Sequence, residues 1–235
     1  HRRWNQGVPV IAEEDRAFGA WKAAKRGATV VVLDDGFQHR RLARALDVVL
    51  VAQDTPRQAR LLPRGPFRES FSALERADVV AVVEKGRPGA PPPLPETMLE
   101  PYLREPPLRV RFVPDGWKDL HGNEASRPEG DYVALAAVGD PESVSRVFLE
   151  ATGREAELLA FPDHHEYTPE DVGNILAYAR DRSVVTTEKD AVKLEVFRES
   201  LGMMRVLKLR MELTEGEDRF WKQVTGALEG YRTAL

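Results

Sequence analysis

Short runs rich in β-branched residues recur along this chain, and most are followed by a stretch with helical spacing. The runs are Thr29–Leu33, Asp47–Ala52, Asp78–Val83, Leu108–Val113, Tyr132–Val138, Ala156–Ala160, Ser183–Thr187 and Val206–Leu209. Continuous apolar runs of this length suit strands covered on both faces. Strands alternating with helices predict a mainly parallel sheet. From Glu13 to Arg26 the pattern is helical, with Ala17, Phe18, Trp21 and Ala24 as inward-facing candidates and Gly27 placed to end the helix. Leu61–Ser70 reads as a loop entering a helix that runs to Arg76. A helix is expected from Pro141 to about Thr152, and another after Thr168, with Pro169 in its first turn and Asp171 completing a capping pattern. Glu217–Leu228 closes the chain as a helix. Proline is dense from Arg87 to Pro107, Leu108–Val113 reads as a connecting strand, and Asp115–Gly130 as turns. The expected architecture is therefore two doubly wound parallel-sheet α/β/α blocks joined by a Pro-rich and short β linker. The divisions fall at residues 1–86, 87–130 and 131–235.

Composition narrows the function classes. A formal net charge of −4 argues against a broad nucleic-acid-binding face, although local arginine clusters are compatible with it. With no cysteine, there is neither a disulfide framework nor a thiolate nucleophile. No apolar run reaches membrane-spanning length and no signal peptide is visible. The sequence opens on His1 in a basic stretch, which reads as a chain whose beginning lies elsewhere.

The chemistry concentrates where the first run ends: Val31-Val32-Leu33-Asp34-Asp35-Gly36-Phe37-Gln38-His39-Arg40-Arg41-Leu42. Groups at the carboxyl end of a parallel strand face the ligand crevice. Two adjacent carboxylates there can hold a hydrated Mg²⁺ against phosphate oxygens. The competing interpretation is a strand-to-turn junction, since Asp and Gly are favoured in turns. Arg40, Arg41 and Arg44 read as a solvated face, while Arg16 and Arg68 could each meet an anion through a planar fork.

Three further polar clusters follow strands: Gly139-Asp140, Asp163-His164-His165 and Glu188-Lys189-Asp190. The His pair could supply a base, a phosphate donor or metal ligands, or could belong to a helix-entry loop. An Asp-His-His triplet also occurs in metal-dependent phosphoesterases, but the Asp clusters those enzymes need early in the domain are missing here. Thr187-Glu188-Lys189-Asp190 could bind an anion or cap a helix, and the capping pattern is favoured.

Taken in order, these motifs resemble the tetraacyldisaccharide 4′-kinases (lipid A 4′-kinases). Asp34–Leu42 resembles the Asp-Asp-Gly-hydrophobic-Gln-His signature, and Leu61–Glu69 the Leu-Pro-Ala-Gly-Pro-Leu-Arg-Glu stretch. Gly139–Glu142 is similar to the Gly-x-x-Pro-Glu turn, and Phe161–Thr168 and Thr187–Leu194 to the late motifs. The resemblance implies transfer of the ATP γ-phosphate to the 4′-hydroxyl of a lipid A disaccharide 1-phosphate. It also implies a Mg²⁺ requirement, a location at the cytoplasmic face of the inner membrane, and peripheral membrane contact. On this footing Asp34 and Asp35 organise Mg²⁺, and Gln38 and His39 line the nucleotide and acceptor site. Arg68 contacts phosphate or substrate, and His164 reaches across from the second block to assist the base.

Two departures stand beside the resemblance. The sequence contains no Gly-x-x-x-x-Gly-Lys-Ser/Thr loop, which the family places upstream with its proposed base. The family's Gly-rich region is replaced by Asp54–Arg60. The first block is thus expected to be incomplete and this polypeptide alone not to be a competent kinase. The alternative is a non-catalytic relative that binds a phosphorylated sugar, lipid or protein partner.

Overall fold

The structure is a computed structural model and describes residues 7–56, 60–65, 67–84, 96–138, 140–163 and 165–232. Its helices are α1 (Arg16–Lys25), α2 (Glu96–Leu99), α3 (Pro141–Thr152), α4 (Pro169–Ala179), α5 (Glu188–Leu194) and α6 (Glu217–Arg232). The strands are β1 (Val48–Ala52), β2 (Val79–Val83), β3 (Leu108–Lys118), β4 (Glu124–Ala125), β5 (Tyr132–Ala136), β6 (Glu157–Ala160), β7 (Ser183–Thr187) and β8 (Arg205–Glu215). A 3₁₀ helix at Phe71–Arg76 stands where the sequence predicts the helix entered from Leu61–Ser70.

One mixed, mostly parallel sheet runs in the order β1-β2-β3-β8-β7-β5-β6, with β4 paired to β3. This is the α/β architecture expected from the alternating pattern. The period-2 geometry of strands explains why β5 reads as an unbroken apolar run. Val133 and Leu135 pack with Val172, Ile175 and Leu194 from α4 and α5. Tyr132, Ala134 and Ala136 face the other way, against Val144 and Phe148 of α3. In β2, Val80 and Val82 meet Leu74 and Leu99, while Val79 and Ala81 meet Leu108 and Val110.

The long pair β3 and β8 is antiparallel, whereas β2 runs parallel to β3 and β7 parallel to β8. Val83, the end of β2, lies beside Val110. Thr187, the end of β7, lies beside Leu207, which pairs with Trp117. The two parallel groups therefore point their carboxyl ends toward each other along this ribbon. The stretch between them, Val110 to Trp117, is roughly 23 Å at ~3.3 Å per residue.

Three expectations fail. Thr29–Leu33 forms no strand, and Val32 is 92% exposed. A strand needs a hydrogen-bonded neighbour, and among the described residues this run has none. The α1 face fails for a like reason: Ala17, Phe18, Trp21 and Ala24 are all exposed, since among the described residues no buried cluster includes α1. Phe18 and Trp21 stack on each other instead, with centroids 5.6 Å apart. The α1 ends hold as expected, with Asp15 accepting from the Ala17 and Phe18 amides, and Gly27 at φ +88° just past the helix. Finally, β3 extends through Asp115–Lys118 where turns were expected. Its extra length is held by pairing with β8 and by ion pairs such as Lys208–Asp115 (3.3 Å), which apolar patterning does not signal.

Candidate functional site

The Asp34–His39 turn is fixed by its one apolar member. Phe37 is half-buried against the cluster that contains Val51, Leu74, Val80 and Val82. The Arg76 guanidinium lies 4.7 Å from the Phe37 ring centroid. With Phe37 pinned to the sheet, Asp34, Asp35, Gln38 and His39 are all exposed. Asp35 sits in left-handed backbone at φ +51°, a conformation that Asp and Asn tolerate better than most residues. Gly36 is buried, and a Cβ there would stand 2.7 Å from Leu33 Cβ. The turn therefore requires glycine at that position, while the carboxylates themselves stay in solvent.

Arg68 comes to this turn from a second loop. Leu62 N–H donates to Phe67 O at 2.9 Å, and Arg64 N–H to Leu61 O at 2.9 Å. A Cβ on Gly65 would meet Arg60 O at 2.2 Å, so the loop closes only around glycine. Past this turn, Arg68 Nη1 donates to Asp35 Oδ2 at 3.0 Å, joining segments 33 residues apart. Both side chains are exposed, so the pair contributes little to stability. It does place a carboxylate and a guanidinium, groups able to take a cation and an anion, at one surface point. Among the described residues no group of three or more His, Cys, Asp or Glu could hold a metal. Two adjacent carboxylates fit Mg²⁺, which keeps most of its waters and takes phosphate oxygens, and do not fit a closed transition-metal centre.

The basic run after His39 divides. Arg40 and Arg41 are exposed, as expected of a solvated face. Arg44 is not: its side chain is only 16% exposed and forks onto Asp47 at 2.5 and 3.0 Å. Its Nη1 also donates to His39 O (2.6 Å) and Leu42 O (3.0 Å). Arg16 likewise turns inward, donating to the Glu13 carbonyl.

The late motifs gather at the carboxyl ends of β5, β6 and β7. His164 lies outside the described residues, as does Gly139. His165 Nε2 meets Asp171 Oδ2 at 3.0 Å, and its ring packs 4.8 Å from Phe161 and 5.3 Å from Tyr167. Asp171 also accepts from the Thr168 backbone and hydroxyl, completing the predicted capping box on α4. These bonds, the Thr168 backbone first and His165 next, hold the Asp171 carboxyl below its ordinary range. His165 is thereby a structural residue of the α4 entrance.

The capping pattern expected at Thr187 is absent, since its side chain makes no capping bond. Asp190 is buried and accepts from Ala137 N–H at 3.0 Å, so it ties α5 to the end of β5. Lys189 pairs with Asp163 (3.2 Å) and Lys193 donates to His165 O (2.9 Å). Burial, and then the Asp190 charge, push the Tyr167 phenol well above its ordinary pKa. Among the described residues no helix is long and apolar enough to cross a membrane.

Comparison with known proteins decides the family. The family model for tetraacyldisaccharide-1-P 4′-kinase matches residues 2–229. The chain belongs to that family. It is 38% identical over 226 residues to the tetraacyldisaccharide 4′-kinase of Anaeromyxobacter dehalogenans, covering 90% of this chain and 59% of that protein. It is also 38% identical over 216 residues to the enzyme of Syntrophus aciditrophicus, covering 80% of this chain and 55% of the relative. A crystal structure described as the "apo" form of LpxK from Aquifex aeolicus in complex with ATP superimposes with a TM-score of 0.65 at 25% identity. That match covers 92% of this chain and 64% of the other. The chain thus spans a little over half the length of these tetraacyldisaccharide 4′-kinases.

Within the family motif, sequence reasoning located Asp34, Asp35, Gln38, His39 and Arg68, and the structure brings Arg68 onto Asp35. Arg44, which reads from the sequence as solvated, and Arg76 are anchors the motif does not reveal: the His39 carbonyl and the Phe37 ring leave no spacing signal, although Asp47 stands only three residues after Arg44.

Proposed function

We propose that this chain carries part of the site of a kinase that moves the ATP γ-phosphate onto the 4′-hydroxyl of a lipid A disaccharide 1-phosphate. The observation that carries the proposal is the Asp34–His39 turn with Arg68 drawn onto Asp35. Phosphoryl transfer is catalysed mainly by positioning and by charge stabilisation, and this arrangement offers groups of both signs on a glycine-constrained turn. Asp34 and Asp35 would hold a hydrated Mg²⁺, whose charge neutralises phosphate oxygens. Arg68, released from Asp35, would bind phosphate through its fork. Gln38 and His39, exposed beside the carboxylates, would line the nucleotide and acceptor site.

Residues 131–235 would supply His164 to assist the base from the facing group of strands, with residues 87–130 as the connection from residues 1–86. The opposed carboxyl ends along β3 and β8 support such a crossing. On this reading the reaction would take place at the cytoplasmic face of the inner membrane, with peripheral membrane contact and no nucleic-acid partner.

The test is transfer of labelled γ-phosphate from ATP and Mg²⁺ to a tetraacyldisaccharide 1-phosphate. The sequence carries no Gly-x-x-x-x-Gly-Lys-Ser/Thr loop, so the 235-residue chain alone should give no product. Joined to an upstream segment bearing that loop it should turn over, and D34N or D35N should then abolish product. An active chimaera indifferent to both substitutions would overturn the site assignment. Binding of the disaccharide without turnover in the chimaera would favour the non-catalytic relative.

A further inference from the structure

We propose that Arg44 is a positioning residue that sets the place of the Asp34–His39 turn by holding the His39 carbonyl to the start of β1. The functional part of this inference rests on the reading of that turn as an ion and phosphate site. Within the turn, these backbone bonds are local: His39 N–H to Gly36 O (3.0 Å), Arg40 N–H to Gln38 O (3.0 Å) and Leu42 N–H to His39 O (3.3 Å). Such bonds fix the shape of a turn but not its place on the sheet. Phe37 anchors the middle, and Arg44 anchors the far end.

The anchor is continuous with the sheet. Arg44 grips both carboxylate oxygens of Asp47, at 2.5 and 3.0 Å. Asp47 N–H donates to Asp78 Oδ2 at 2.8 Å, and Asp78 N–H returns to Asp47 O at 3.0 Å, at the start of the β1–β2 pairing. The planar fork can bind a carboxylate with two nitrogens and still direct Nη1 at His39 O and Leu42 O; an ammonium has one nitrogen for all of them. Arg44 touches no reacting group in this scheme and acts through the backbone of His39.

The experiment compares the wild-type chain with R44K and R44Q by amide hydrogen exchange and by Mn²⁺-induced NMR line broadening. Loss of the anchor should speed exchange at His39 and Leu42 at least tenfold in R44Q, with partial rescue in R44K. Val49 and Val51, whose amides face β2, should keep their protection. The Mn²⁺ concentration that broadens the Asp34 and Asp35 amides should rise at least tenfold in R44Q at an unchanged melting temperature. Unchanged exchange at His39 and Leu42, or an equal loss of protection at Val51, would overturn the positioning role. Mn²⁺ broadening that is absent even in the wild-type chain would overturn the ion-site reading while leaving the exchange test of the anchor intact. Unaltered Mn²⁺ response alongside faster exchange would reduce Arg44 to a purely structural residue.

Discussion

Replacing Asp35 separates the backbone from the charge. The residue does two physically distinct things: it occupies a left-handed conformation at φ +51°, and it presents a carboxylate 3.0 Å from Arg68. The ion pair is 60% and 63% exposed on its two sides, which places its contribution at about 0–1 kcal/mol. The backbone conformation costs an ordinary L-residue about 1–2 kcal/mol, and Asn or Gly much less. Asp35→Asn should therefore lower the melting temperature by no more than about 2–4 °C, using ~2–4 °C per kcal/mol for a chain of this size. Asp35→Ala adds the conformational cost and should fall about 2–8 °C below the Asn variant, while Asp35→Gly should track Asn. Calorimetry orders the series, and Mn²⁺ titration of the same samples reads the charge. All three variants should lose ion affinity by at least tenfold, about 1.4 kcal/mol, irrespective of their melting order. Asn melting with Ala would refute the conformational argument. Undiminished ion affinity in all three would remove Asp35 from the ion site.

Three other perturbations have defined outcomes. Gly65→Ala puts a methyl group 2.2 Å from Arg60 O, a contact that only backbone movement relieves; a cost of about 1–3 kcal/mol and loss of Leu62 amide protection should appear by hydrogen exchange. Phe148→Ala removes a buried ring that lies 6.1 Å from Trp117 and 6.3 Å from Tyr132; chemical denaturation should report a loss of about 3–5 kcal/mol. Because Asp171 has its pKa lowered below 3.8 in the folded chain, its capping contribution is present above that value and lost as pH falls through the folded pKa. The Thr168 and Asp171 amides should lose protection in acid before the β5 amides do, and simultaneous loss would refute the assignment.

Legibility in the sequence followed the range of the interactions concerned. β7 is legible at its observed ends because Val184, Val185, Thr186 and Thr187 form a short β-branched run, the pattern of a buried strand. The α4 capping box was read because Thr168 and Asp171 are near neighbours in sequence. The Asp34–His39 turn is legible as a cluster of polar groups around a glycine for the same local reason. Thr29–Leu33 and the Phe18–Trp21 face show the limit: apolar pattern reports a face that can be buried, and burial still depends on another segment. Asp190 shows the converse. Its neighbours suggest a helix cap, yet it reaches Ala137 across 53 residues, a partner that no local spacing encodes.

The arginines explain how an exposed site can nevertheless be ordered. Exposed carboxylates on a loop would ordinarily sample many positions, because ordering a residue costs about 1–2 kcal/mol in backbone entropy. Here the ordering contacts lie behind the exposed carboxylates rather than on them. Arg76 covers Phe37, Arg44 holds the His39 carbonyl, and Arg68 alone comes round to the front, onto Asp35. A ligand that competes for Asp35 or Arg68 therefore breaks only the weak, solvent-exposed pair, while the two rear contacts persist. The division predicts unequal coupling in double-mutant cycles with Asp35. Arg68→Gln should couple to Asp35→Asn, and Arg76→Gln, whose contacts are the Phe37 ring and the Glu69 carboxylate rather than Asp35, should be additive with it to within about 0.5 kcal/mol. Equal coupling of both arginines to Asp35 would mean that front and rear are one network, and that binding an ion at Asp35 must loosen the turn that presents it.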